Sequence, residues 1–145
     1  MLEGDLGRLR ITPPRAPRPA DGLWQHTCCE IFIARKHLPA YHEFNLAPSG
    51  EWAAYAFAGY RNGVPLAGEE LDPRIAVRRA AGRLEMEARI RLDFLGYGGR
   101  LAIGLSAVVE DENGALSYWA IRHPPGKPDF HHREAFALEL DEARH

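Results

Sequence analysis

Two short segments hold most of the side chains able to do chemistry. Residues 28–34 (CCEIFIA) carry the carboxylate Glu30, and residues 41–47 (YHEFNLA) carry a second, Glu43, with the amide of Asn45. Both segments are rich in β-branched and aromatic residues and read as strands. Side chains alternate between the faces of a strand. Cys28, Glu30 and Phe32 therefore oppose Cys29, Ile31 and Ile33, while Tyr41, Glu43 and Asn45 oppose His42, Phe44 and Leu46. With the apolar sets inward, Glu30, Glu43 and Asn45 sit side by side on the outer face of one sheet, and Trp24 and Trp52 flank them. Carboxylates and amides pair with hydroxyl groups, and indole faces stack on the C–H surfaces of sugars. This is a platform for a polyhydroxylated ligand. The same residues also read as cross-strand polar pairs with Arg89 or Arg91 and packing tryptophans. A glycosidase-like use of Glu30 and Glu43 is conceivable, since adjacent strands place carboxylates within the ~5–9 Å such enzymes use. An open sheet face without a deep cleft argues against it.

The loop His123-Pro-Pro-Gly-Lys-Pro-Asp-Phe-His-His132 is the densest chemical segment. Its three histidines, with Lys127 and Asp129, suit metal binding or acid–base work. The spacing speaks against a metal. His131 and His132 are adjacent and should diverge, and the chain has no His-x-His, CxxC or HExxH motif. The loop reads instead as a proline-fixed rim of the ligand site. The alternative is packing of its imidazoles on Tyr118, Trp119 and Phe130. Ser106 and Ser117 lack a nucleophile-elbow motif, and Cys28 lacks a helix N-terminus to lower its pKa. Gly96-Tyr-Gly-Gly99 reads as a turn, because no helix follows it to receive a phosphate.

The elements that position these groups are strands. The 145 residues include 14 Gly and 11 Pro beside 10% aromatics, a composition of short elements and many turns. After a strand at 8–11, Pro13, Pro14, Pro17 and Pro19 forbid regular pairing, so residues 1–22 form an arm with a proline-rich linker. Strands at 28–34, 41–47 and 52–58 form an antiparallel meander, with a turn at Pro48-Ser49-Gly50. Residues 59–73 read as a loop. Strands at 75–79 and 84–92 make a hairpin around Ala81-Gly82, and the second alternates with period 2. Residues 101–110 and 117–121 flank the turn Asp111-Glu-Asn-Gly114, and 136–140 supply the last strand. The expectation is one all-β domain over residues 1–145, an immunoglobulin-like or jelly-roll sandwich of antiparallel strands.

Charge and sulfur exclude several function classes. Eighteen basic and 20 acidic residues give a net charge of -2, so no field of one sign steers the chain onto nucleic acid or an anionic membrane. The start has no apolar signal core, and the longest apolar stretches fall short of the ~20 residues that span a bilayer. Adjacent Cys28 and Cys29 read as free thiols of a reducing compartment, with the cytoplasm the expected location.

The runs DGLWQHTCCEIFIA, YHEFNLAPSGEWAAYAF and LSYWAIRHPPGKPDFHH resemble the bacterial DOMON-like proteins, which are similar in turn to family 9 carbohydrate-binding modules. The shared pattern is a Trp, an acidic residue in a short strand, then an aromatic-x-Glu-Phe-Asn strand closed by Pro-x-Gly. Here those positions are Trp24, Glu30, Tyr41, Glu43, Phe44, Asn45, Pro48 and Gly50, and the likeness runs from about Leu6 to Leu140. The resemblance implies an immunoglobulin-like sandwich that binds a ligand, either haem or a sugar, without catalysis. Haem would need Met and His axial ligands, and Met86 alternates with Leu84 and Ala88 as a core residue does. A His pair is the substitute. The resemblance also implies N-terminal strands before Gly4, so a strand is expected to be missing and an edge or core face exposed, an opening for a homo-oligomer. The expected function is non-catalytic binding of a carbohydrate-like small molecule, with no catalytic residue, no metal and no resident cofactor. A haem- or metal-binding protein using His123, His131 or His132, or a purely structural module, is the alternative. The expected ligand contacts are Trp24, His26, Glu30, Tyr41, Glu43, Asn45, Trp52 and Trp119, with His123, Lys127 and Asp129 from the loop.

Overall fold

Among the residues described by the computed structural model (1–16, 18–66 and 71–141), the alternating segments form ten strands and no long helix. They are β1 (Leu2–Glu3), β2 (Cys28–Arg35), β3 (Tyr41–Leu46), β4 (Trp52–Gly59), β5 (Asn62–Pro65), β6 (Arg74–Ala80), β7 (Arg83–Arg89), β8 (Arg100–Glu110), β9 (Leu116–Ala120) and β10 (Leu138–Asp141). One sheet has the order β1-β7-β6 and the other β10-β8-β2-β3-β4-β5, with β9 also paired to β8. The fold is an all-β sandwich of antiparallel sheets. Among the described residues no helix is long and apolar enough to cross a membrane.

The expected meander is β2-β3-β4, and the hairpin around Ala81-Gly82 is β6-β7. Two expectations change. Residues 8–11 form no strand: a 3-10 turn (Leu6–Arg8) leads to a lone bridge between Leu9 and Asp111. Residues 62–65, read as loop, are β5, while 67–70 and Pro17 lie outside the described residues. Tyr60 and Arg61 alone connect β4 to β5, and Arg61 adopts φ 54°, an uncommon conformation for a residue with a Cβ. Gly63 lies opposite Phe57, and a Cβ built there would fall 2.5 Å from the Phe57 ring. The ring occupies the space that a side chain at 63 would need, which is how an aromatic residue supports a glycine across a strand pair.

Two cores result, one on each face of the large sheet. Between the sheets Ile33, Phe44, Leu46, Trp52, Ala54 and Ile103 pack against Ile75, Met86 and Ala88 of the small sheet. On the opposite face Phe32, Ala34, Tyr41 and Ala102 are covered by Phe130, Ala135 and Phe136 of the segment that follows β9. That segment approaches closely because residue 104 is glycine: a Cβ there would lie 3.1 Å from Phe136 Cδ1 and 3.3 Å from the Ala135 carbonyl oxygen. The outer face, expected to be open, is therefore roofed. The small sheet leaves part of the other face bare, and Leu105, Trp119, Leu138 and Leu140 are all exposed there.

The proline-rich arm is docked along the strand ends. Arg10 N–H donates to the Glu110 carbonyl at 2.9 Å, Arg15 N–H to Ser49 at 2.8 Å and Ala20 N–H to Trp52 at 2.8 Å. Proline removes donors, yet Arg10, Arg15 and Ala20, before, between and after the prolines, supply N–H groups that hold the arm. Cys28 and Cys29 point to opposite faces of β2, and both thiols are free.

Gly63→Ala should displace the Phe57 ring from its place against Tyr41 and destabilise the fold by about 1–3 kcal/mol, the usual cost of an overpacked site. A urea denaturation midpoint equal to that of the wild type would show that β5 does not need the glycine.

Candidate functional site

In the β2–β3 register Glu30 lies directly opposite Asn45, and Phe32 opposite Glu43, so all four share the roofed face. Asn45 is fully buried, and Glu30 and Glu43 are 4% and 5% exposed. With its amide nitrogen turned toward the carboxylates, Asn45 donates to Glu30 Oε1 at 3.2 Å and to Glu43 Oε1 at 3.0 Å. Burial raises the pKa of Glu30, as do a hydrogen bond and charge repulsion from Glu43, and pushes it up to about 9; Arg61 opposes this. Burial also raises Glu43, against hydrogen bonds from Glu30 and Asn45 and the Arg61 charge. The physical result is a carboxyl pair that shares one proton near neutrality, because two buried like charges in contact cannot both ionise cheaply.

A second chain of hydrogen bonds runs beside this pair. The Arg61 N–H donates to Tyr41 Oη at 3.0 Å, and Tyr41 Oη lies 2.9 Å from His131 Nδ1. Tyr41 accepts from Arg61, and the His131 tautomer sets which partner donates in the contact with Nδ1. His131 Nε2 faces Glu43 Oε2 at 3.8 Å, too long for a hydrogen bond. The His131 ring is enclosed by Phe32 at 4.9 Å and Phe57 at 5.1 Å between centroids. Burial lowers its pKa to about 4, assisted by Arg61 and opposed by Asp129, so the imidazole is neutral at pH 7. The strained Arg61 turn serves this network twice. Its backbone holds Tyr41, and its Nη2 reaches Asp129 Oδ1 at 2.9 Å, tying β4–β5 to the loop.

Above the pair opens a cleft of about 630 Å³. Glu30, Glu43, Arg61 and His131 line its polar side, and Trp24, Tyr55, Phe57, Tyr118 and Phe130 line the rest with Val108, Leu116, Pro128 and Gln25. Trp24 is 41% exposed and meets Tyr55 edge to face at 6.0 Å. Tyr55 is fixed in turn by its hydroxyl, which donates to Asp21 Oδ1 at 2.5 Å. Tyr118 and Phe130 form a second edge-to-face pair at 5.9 Å. The arrangement offers donors and acceptors in one layer and ring faces around them.

The structure thus gathers Trp24, Glu30 and Glu43 at one cleft, with Asn45 and Tyr41 beneath it and Asp129 bracing Arg61 from the loop. Other expected contacts lie elsewhere. Trp52 pairs with Leu46 and points into the core between the sheets, 5% exposed, because its position on β4 has the opposite parity to Tyr55. Trp119 pairs with Ala107 on that same opposite face and is 64% exposed, its Nε1 donating to Ser117 Oγ at 3.0 Å. His26 turns to the strand ends, where its Nδ1 lies 2.5 Å from Glu110 Oε2. His123 is exposed and stacks on Phe130, and Lys127 is exposed. Arg89 and Arg91, the expected cross-strand partners of the carboxylates, belong to and follow β7 in the small sheet. The side chains not foreseen at the cleft are Tyr55, Phe57, Arg61 and Tyr118, while Phe130 and His131 belong to the loop expected as its rim without being named as ligand contacts. The period of β4 places Tyr55 and Phe57 with Glu43; Arg61 and the loop residues carry no such signal.

His131 and His132 do diverge. His132 Nδ1 accepts from the Glu134 N–H at 3.1 Å and caps a 3-10 turn, while His131 enters the network. Among the described residues no group of three or more His, Cys, Asp or Glu is arranged to hold a metal ion. Of the residues considered for haem, Met86 packs between the sheets, and His131 Nδ1 is paired with Tyr41 Oη. No family model, curated protein or solved structure matches the chain.

The two titrating groups act on stability in opposite directions. Lowered in the fold, His131 supports stability above its ordinary 6.5 and loses that support as pH falls toward about 4. Raised in the fold, the carboxyl pair gives stability that is full below the ordinary 4.5 of glutamate and is lost as pH climbs toward about 9. Stability should therefore decline from neutral pH toward about 9, and Glu30→Gln should flatten that limb. Urea midpoints across this range check it; equal slopes in the two proteins would rule out the shared proton.

Proposed function

We propose that this chain is a non-catalytic binding domain for a carbohydrate-like small molecule, seated in the Trp24–Tyr118 cleft. The observation that carries the reading is the layering of the site: two carboxyl groups at the floor, braced from beneath by the Asn45 amide, and aromatic faces at the walls. Sugars present that division, with hydroxyl groups around the ring edge and C–H surfaces on its faces. The volume suits a small ligand, since such clefts measure roughly 300–1,000 Å³. A domain of the DOMON-like kind, similar to family 9 carbohydrate-binding modules, agrees with this reading, because Trp24, Glu30 and Glu43 of the resembling segments meet at the cleft.

Two features favour binding over glycoside hydrolysis. Glu30 and Glu43 are hydrogen-bonded to each other, whereas retaining enzymes separate their carboxyl groups by about 5–5.5 Å and inverting enzymes by more. A pair that shares one proton also leaves no room for a sugar oxygen between its members.

Isothermal titration calorimetry against a panel of mono- and disaccharides tests the proposal. The wild type should bind at least one sugar, and Trp24→Ala should weaken that binding about tenfold or more, the scale of losing one aromatic anchor. A folded wild type that binds no sugar overturns it. A Soret band on addition of haem, with one haem bound per chain, would overturn it in favour of a haem protein.

A further inference from the structure

The charges around the cleft do not balance. Two carboxyl groups lie at its floor, and among the described residues Arg61 is the cation that lines it. Asp129 already holds that guanidinium at 2.9 Å. The other titratable groups facing the pair add no positive charge near neutrality. On the loop, His131 is neutral. On β2, burial holds the Cys28 thiol protonated, and on β3 it does the same for the Tyr41 phenol. On β4, burial and Asp21 keep the Tyr55 phenol protonated. The pair's second charge is therefore met by a proton, which a cation of the right shape can replace.

The walls suit such a cation. Trp24, Tyr55 and Tyr118 line the cleft, and the negative faces of aromatic rings attract ammonium groups.

We infer that the cleft selects sugars that carry a protonated amino group, the ammonium set against Glu30 and Glu43 while the ring stacks on Trp24. This rests on the sugar-binding reading and narrows it to a chemical class. On binding, the shared proton leaves to solvent, both carboxylates ionise, and the ammonium, approaching from the cleft above the pair, supplies the positive charge that the proton had supplied. One N–H of the ammonium answers each carboxylate, and such charge-assisted bonds are about twice as strong as neutral ones.

Calorimetry with glucosamine, glucose and N-acetylglucosamine decides it, run at about pH 6.5 so that the amine is charged, in two buffers of different ionisation enthalpy. Glucosamine should bind about tenfold more tightly than either neutral sugar and release about one proton per ligand. Glu43→Gln should bring glucosamine and glucose to within about twofold of each other. Glucose or N-acetylglucosamine binding as tightly as glucosamine overturns the selectivity and leaves the sugar-binding reading intact. Glucosamine binding without proton release overturns it as well, and that wild-type measurement stands whether or not Glu43→Gln folds. Failure of every sugar to bind overturns both.

Discussion

The contact on which the site and its roof depend is the buried bridge Glu30–Asn45–Glu43. An ionised carboxylate taken out of water loses several kcal/mol of hydration even after the protein relaxes. Two of them, one strand apart, add mutual repulsion. The chain meets this with a shared proton and with the two N–H groups of one amide, each aimed at a different carboxylate. An amide is the side chain that can do so while carrying no charge of its own. Asn45 is fully buried because that geometry leaves it nowhere else to point.

The rest of the outer face follows from shielding that bridge. Phe32 and Ala34 continue the same stripe of β2, and Tyr41 continues that of β3, so the polar cluster merges into an apolar patch that must be covered. The segment after β9 covers it with Phe130, Ala135 and Phe136. Gly104 admits this segment at van der Waals distance. His131 is carried in with it, neutral, and closes the line from Arg61 through Tyr41 toward Glu43. The centre of the large sheet is thus covered on both faces although its strands alternate, and the cleft remains where the roof stops short of Trp24 and Tyr55.

Much of the fold was legible. Period-2 alternation located the meander and the β6–β7 hairpin, and the Asp-Glu-Asn-Gly turn located β8 and β9, because these are local signals. Parity alone placed Glu30, Glu43 and Asn45 on one face. The same rule, applied to β4, separates Trp52 from Tyr55: a large indole suggests a platform, but parity turns it into the core between the sheets. Residues 62–65 were lost because Arg-Asn-Gly is a turn signal; the turn falls one step earlier, on Tyr60 and a strained Arg61. Trp119 and His26 lie away from the Glu30–Glu43 cleft for a similar reason: position in the chain, not residue type, sets their faces and partners.

What the sequence determined by itself is which side chains share a face, since the alternation of a strand is a property of its own backbone. It could not determine whether the outer face meets solvent or a roof. That depends on residues far apart in the chain: Phe136 against Gly104 and Phe32, and Asp129 against Arg61. Burial is a collective property of such contacts, and burial converts two ordinary surface glutamates into a proton-sharing pair. The carboxylates and their neighbourhood are written in local pattern. Their chemistry is decided by the tertiary fold, because the cost of a charge is set by how much water remains around it.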